Sequence, residues 1–459
     1  MPFNSFENYS LTWKPKLDRN SGPFYQSLAR QLEQDIADGV IKPGTKLPPQ
    51  RELADFLDLN VSTISKAFKL CELKGLLSAT VGNGTFVSYS ALTNGRLISE
   101  NIDGKVVDMG ATVPEPSGNA LLMQKLKEIV NEAQSVDLFS YRTDRAMEWQ
   151  KDAAVSLLGY CGHKVDREQV LFSNGGQNAL SAILAAVFKR GEKIAVDEHT
   201  YPGIKSAAAM LGIQLIPVPQ NDKGMDMNAL EIICKHEKIN GIYIIPACHN
   251  PTTITMPEAQ RMETARIAEQ YDCILVEDGT YQLMEIGMTA ISDYIKSRSI
   301  YIASLSKVIA PGLRMAYLST PMQYKNAISD ALYSLNVAVV PLMAELSARI
   351  IASGQFETII ENHRINAALR SAVIERWLPK EICRGKETNI FRWLLLPEKF
   401  TGKAFEDIAL SRGVQVFAAE KFVVGKTPPA HAVRLSICAP KDLEQLEKGA
   451  KILAGLIKS

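Results

Sequence analysis

The chain has no paired-cysteine motif, no long apolar run and almost no net charge, and each absence removes a class of protein. Its seven cysteines include no C-x-x-C pair and its six histidines no H-E-x-x-H. A disulfide framework and a zinc site are therefore not expected, and no metal is assigned. A reducing cytoplasm is the expected compartment. Lys and Arg number 51 against 50 Asp and Glu, a formal charge of +1, so no global field draws the chain to nucleic acid or to a membrane. The opening MPFNSFENYSLTWKPK lacks the basic start and apolar block of a secretory signal. The longest weakly charged run, ALYSLNVAVVPLMA, is interrupted by Ser334, Asn336 and Pro341, too short and too polar to span a bilayer. A soluble, cytoplasmic protein with no membrane partner is expected.

What is present falls into unlike parts. With 459 residues, two or three domains are expected. Up to residue 89 the pattern is helix, helix, helix, hairpin. FYQSLARQLEQDIADG has helical spacing and stops at Gly39, and QRELADFLDL is a short helix. NVSTISKAFKLCELKGL opens on the cap candidates Asn60 and Ser62 and ends at Gly75. LLSATVGNGTFVSY reads as two strands about Asn83-Gly84. A polar, glycine-containing linker follows over 90–107. From 108 on, the runs VLFSN, KIAVDE, GIYIIP, CILVED, SIYIAS and MAYLS alternate with helical segments. That alternation predicts an α/β domain with a mostly parallel sheet covered by helices. From about residue 342 a smaller α+β lobe is expected, carrying IFRWLLLP and AVRLSICAP.

In open α/β sheets the working groups sit at the carboxyl ends of the strands. VLF leads into SNGGQNAL, whose glycines open a helix with free N–H groups suited to a phosphate. GIYIIPA leads to Asn250, CILVE to Asp278 and Tyr281, and SIYIA to Lys307 in SLSKVIAPGLR. Each group alone has an ordinary explanation as a solvated side chain, a cap or a turn. In this order they match the needs of pyridoxal 5′-phosphate: a lysine for its aldehyde, a carboxylate for its ring nitrogen, donors for its phenolic oxygen, and hydroxyls, an arginine and a helix terminus for its phosphate.

Residues 108–459 resemble the fold-type I aminotransferases. The resemblance implies that Lys307 is the Schiff-base lysine and that Ser304, Ser306 and Arg314 hold the phosphate with Gly176 and Gln177. It implies Asp278 on the pyridine nitrogen, Tyr281 and Asn250 on the phenolic oxygen, and Tyr201 against the ring. Arg434 in VRLSIC is the expected clamp on a substrate carboxylate, and Tyr141 is expected to reach a neighbouring subunit's phosphate. Lys307, Asp278 and Tyr281 are the candidate catalytic residues. Ala146 stands where relatives carry glycine, and His249 is taken as structural.

PGTKLPPQRELADFL, the helix after LDLN and the wing GNGTFV resemble the winged helix-turn-helix domain of the GntR superfamily. By that match Arg51 touches DNA, Asn60, Ser62, Thr63, Ser65 and Lys66 begin the recognition helix, and Asn83 with Gly84 forms the wing tip. Where many relatives place arginines, this chain has Val61 and Ser65, so readout through hydroxyls and apolar contact is expected. The fusion resembles the MocR-type subgroup of transcription regulators. It implies a pyridoxal-phosphate-binding regulator, commonly a homodimer with swapped domains, with a double-stranded DNA operator and an amino acid or amine effector. An active aminotransferase carrying a DNA-binding domain is the alternative.

Overall fold

A computed structural model of the chain describes residues 11–17, 22–80, 84–89, 91, 106–114, 116–140 and 148–458. The N-terminal part contains α1 (Phe24–Ala37), α2 (Gln50–Leu57), α3 (Val61–Leu73) and the antiparallel strands β1 (Leu77–Thr80) and β2 (Gly84–Val87). Leu28, Leu32 and Ile36 of α1 meet Leu53 of α2 and Ile64 and Phe68 of α3 in one buried cluster. Trp13 closes it, donating its indole N–H to Asp35 at 2.7 Å, a seal that the sequence pattern did not show. α3 is preceded by Asn60, whose side chain makes no capping bond, and Ser62 lies exposed within the first turn. The expected caps are therefore not used, and both side chains are left on the outer face. Gly39 and Gly75 end their helices at positive φ of 73° and 72°, as glycine at that position does.

The larger part is built on a seven-stranded sheet. Its strands are β3 (Val170–Ser173), β4 (Lys193–Asp197), β5 (Gln214–Val218), β6 (Gly241–Ile244), β7 (Ile274–Asp278), β8 (Ser299–Ser304) and β9 (Ala316–Ser319). They lie in the order β3-β9-β8-β7-β6-β4-β5, and β9 alone runs against its neighbours. β6 and β8 are buried along their whole length, as a sheet covered on both faces requires. β5 was not legible as a strand because Pro217 interrupts QLIPV. It lies at the sheet edge, where the missing N–H is tolerated.

The reversal of β9 places the site. Its first residue, Ala316, pairs with Ser304 at the carboxyl end of β8 and with Ser173 at the carboxyl end of β3. Arg314, just before β9, thereby arrives beside the loops that follow β3 and β8.

The smaller lobe holds the helices Pro341–Ala352 and Gln355–Glu375 and a four-stranded sheet of Cys383–Arg384, Phe391–Leu395, Ala432–Ser436 and Phe417–Ala418. Val107–Asp108 joins it too, pairing in parallel with Val414–Gln415. The chain thus touches the small lobe before it builds the large sheet. No helix among the described residues is long and apolar enough to cross a membrane.

Phe68 is fully buried, and Phe68→Ala is expected to cost about 3–5 kcal/mol. Denaturant titration should show the N-terminal unit melting first, with the unfolding of the seven-stranded sheet unchanged.

Candidate functional site

Eleven of the expected groups converge where the strands end. Lys307 follows β8 in a short turn, mostly buried, and its Nζ donates to the carbonyl of Thr112 at 2.8 Å. Burial, then the guanidinium groups of Arg434 and Arg314, lower its pKa to about 8. No carboxylate pairs with it among the described residues.

Asp278 ends β7. One of its oxygens accepts the Tyr243 hydroxyl at 2.8 Å and the other accepts the backbone N–H and hydroxyl of Thr280. Burial raises its pKa, and the bonds from Thr280 and Tyr243 oppose that rise by favouring the charged form. Tyr243 is set by register: it pairs with Val276 across β6 and β7, one diagonal from Asp278. Tyr243 stands within GIYIIP and Thr280 two residues beyond CILVED, and nothing in their residue types marks either for this role.

Gly176 begins the helix Gly176–Val187. A Cβ there would lie 3.3 Å from the Ser304 Cβ, and one at Gly175 would meet the Arg314 guanidinium at 2.7 Å. Arg314 donates to the Ser306 hydroxyl at 3.3 Å and to the Asn174 carbonyl at 3.2 Å. The Ser304 hydroxyl accepts the Ser306 N–H. Two glycines, two serines, an arginine and a helix N-terminus thus form a cradle without side-chain bulk. Gln177 donates to the Gly203 carbonyl at 3.1 Å, tying this helix to the loop of Tyr201, while its Oε1 is buried without a partner.

Arg434 lies at the centre of the small lobe's sheet, fully buried. It donates to Asn250 Oδ1 at 2.7 Å and to the Gly110 carbonyl at 2.9 Å, and its Nε is unpartnered. The rings of Phe422, Phe417 and Phe391 lie 5.0, 5.5 and 5.6 Å from the guanidinium carbon. Burial lowers its pKa to about 10. Tyr281 packs edge-on against Phe391 at 5.4 Å. Tyr201 precedes the helix Pro202–Leu211, and burial raises its pKa to about 12. Gly110 and Thr112 also went unremarked in the sequence. Their signal is Asp108, which accepts the Gly110 N–H at 2.8 Å and folds the segment over the site. His249 bonds Thr252 at 2.8 Å and faces Asp197 at 3.4 Å, a buried structural contact. Tyr141 and Ala146 lie outside the described residues.

On the N-terminal unit, Arg51, Asn60, Ser62, Lys66 and Gly84 are exposed and Thr63 is partly so. Ser65 is half-buried and its hydroxyl donates to Gln50 Oε1. Asn83 lies outside the described residues.

Known proteins carry the same two parts. Residues 24–87 match the model of the bacterial regulatory proteins of the gntR family, and residues 105–453 that of the class I and II aminotransferases. The HTH-type transcriptional regulator YdeF of Bacillus subtilis is 51% identical over 100% of this chain and 99% of its own. YjiR of Escherichia coli, named likewise, is 25% identical over 82% of this chain and 86% of its own. An archaeal alanine:glyoxylate aminotransferase superposes with a TM-score of 0.71 at 23% identity, covering 78% of this chain and 91% of its own. The α-aminoadipate aminotransferase LysN of Thermus thermophilus, solved with N-(5′-phosphopyridoxyl)-L-leucine, gives 0.69 at 21% identity over 81% and 98%.

An amine attacks an aldehyde only as the free base. With Lys307 lowered from 10.5 to about 8, the rate of pyridoxal phosphate uptake should rise with pH and level off above about 8, read by stopped-flow absorbance. Lys307→Ala should lose the lysine-dependent absorbance band at every pH.

Proposed function

The chain belongs to the MocR-type regulators, in which a gntR-family unit is joined to a class I and II aminotransferase domain, and on that premise we propose that it is a transcription regulator whose hold on DNA is set by an amino acid or amine bound at Lys307. The observation that carries this reading is the gathering of Lys307, Asp278 and Arg434 around one site in a chain that also presents an open recognition-helix face. The division into 1–89, a linker 90–107 and 108–459 belongs to the proposal.

The donor set fits pyridoxal 5′-phosphate. The cradle at Gly175–Gly176 is kept clear of side chains beside Ser304, Ser306 and Arg314, as a phosphate among N–H groups needs. When bound, the cofactor supplies an aldehyde that takes up an amine and a ring that withdraws electrons. Lys307 would hold it through its aldehyde. Asp278, which accepts bonds from Tyr243 and Thr280, would serve its ring nitrogen. Tyr281 and Asn250 would serve its phenolic oxygen, Tyr201 its ring, and Gln177 its phosphate side. Arg434, steadied by Asn250, takes the carboxylate of an amino acid. A ligand shifts the DNA-binding equilibrium by its differential affinity for the two states.

The operator is double-stranded DNA, contacted by Arg51, Asn60, Ser62, Thr63 and Lys66 along the start of α3 and by the wing at Gly84. The working form is a cytoplasmic homodimer. Tyr333, Val337 and Val340, exposed and close together in the chain, support an apolar face that a second copy covers. A second reading, an active aminotransferase, is favoured by Lys307 itself: an amine of pKa about 8 is suited to carry a proton near neutral pH.

Lys66→Ala should weaken binding to all duplexes alike and reduce the slope of log affinity against log salt by about 1. Adding each amino acid in turn should change duplex affinity for at least one of them. Equal affinity throughout, with steady conversion of an amino acid and a 2-oxo acid, would establish the enzyme instead.

A further inference from the structure

Between the winged helix and the large sheet lies a cleft of about 390 Å³, bordered by Lys69, Gly75 and Ser78 on one side and Lys205, Ala209 and Leu215 on the other. Close contact is gathered at one edge of this cleft, on a short strap of the small lobe, Ala419–Lys426. The strap's outer end meets the winged helix. The Gly425 carbonyl accepts the Tyr89 N–H at 2.9 Å. The Lys426 ammonium lies 5.4 Å from the centre of the Phe86 ring. A Cβ on Gly425, at φ 62°, would meet the Ser78 hydroxyl at 3.0 Å.

The strap's inner end meets the ligand site. Phe422 is fully buried, 5.0 Å from the Arg434 guanidinium carbon and edge-on to Trp393 at 6.3 Å. Between the two ends the backbone is pinned to the loop that carries Tyr201. Thr200 N–H donates to the Phe422 carbonyl at 2.9 Å, and Val424 N–H to the Glu198 carbonyl at 2.8 Å. Lys205, one turn beyond Tyr201, donates to the carbonyls of Lys421 and Val423, each at 2.8 Å.

We propose that the strap Ala419–Lys426 is the element through which a carboxylate bound at Arg434 acts on the winged helix. The proposal rests on the regulator reading above and names its route. A carboxylate competes for the guanidinium protons now given to Asn250 and Gly110, and the guanidinium moves against the Phe422 ring. Close packing leaves that ring no room to adjust alone. The bonds from Thr200, Val424 and Lys205 prevent the strap from bending in its middle. The displacement therefore emerges at Gly425, under Tyr89 and Ser78. An amine that lacks a carboxylate can engage Lys307 without moving the strap.

The test uses the full chain loaded with pyridoxal phosphate, and a duplex selected by the protein from a random pool. The twenty standard L-amino acids and methylamine are added in turn. Visible absorbance, hydrogen exchange of the amides at 84–89 and duplex affinity are recorded for the parent, Lys205→Met and Ser78→Leu. At least one amino acid should change all three readings in the parent, with affinity moving roughly tenfold. Methylamine should change the absorbance alone. Both variants should keep the absorbance response and lose the affinity response. Variants that retain the parent's fold-change, or methylamine acting on affinity as amino acids do, overturn the strap. An amino acid that moves absorbance and exchange but not affinity supports the strap and overturns the regulator reading. Absorbance indifferent to all twenty overturns that reading at its first step and the strap with it.

Discussion

A buried guanidinium that makes no ion pair with a carboxylate among the described residues is the constraint on which the site depends. Taking a charge out of water costs several kcal/mol unless the protein replaces the lost contacts. Around Arg434 the replacement is neutral throughout: an amide oxygen, a carbonyl and the faces of three phenylalanines. Those groups solvate the charge without cancelling it, so an anion that reaches the site gains a strong, weakly screened partner. The same lack of compensation extends to Lys307, whose pKa burial lowers and the guanidinium groups of Arg434 and Arg314 lower further. The site thus favours a neutral amine on Lys307 itself and an anion at Arg434, and the carboxylate of an amino acid suits the second.

Much of this was legible because the sheet displays its chemistry in sequence order. VLF, GIYIIP, CILVED and SIYIAS each lead into a polar group, and all of them end on the same side. The reversed strand β9 then carries Arg314 back to that side, which explains why an arginine follows the lysine so closely. What stayed hidden was mostly backbone or register. Gly110 and Thr112 contribute carbonyls, which no residue type announces. Tyr243 bonds Asp278 only because two strands pair in one register. The edge strand β5 was masked by its proline. Asn60 and Ser62, taken as caps, instead leave their side chains on the outer face of α3.

The N-terminal unit shows the opposite balance. Its core is ordinary and its helices were readable, yet its exposed recognition face carries little charge. Val61 and Ser62 stand on that face, and Ser65 is tied to Gln50. A surface of this kind gains less from the phosphate backbone than an arginine-rich one.

The pairing of Val107–Asp108 with Val414–Gln415 has a consequence for the order of assembly. The first strand of the small lobe leaves the ribosome early and waits for a partner made near the end of synthesis. Contacts of such long range form late, whereas the local helices and hairpin ahead of them form quickly. The winged helix is therefore complete while the site at Lys307 and Arg434 is still unfinished, and each new molecule passes through an interval in which one unit is folded and the other is not.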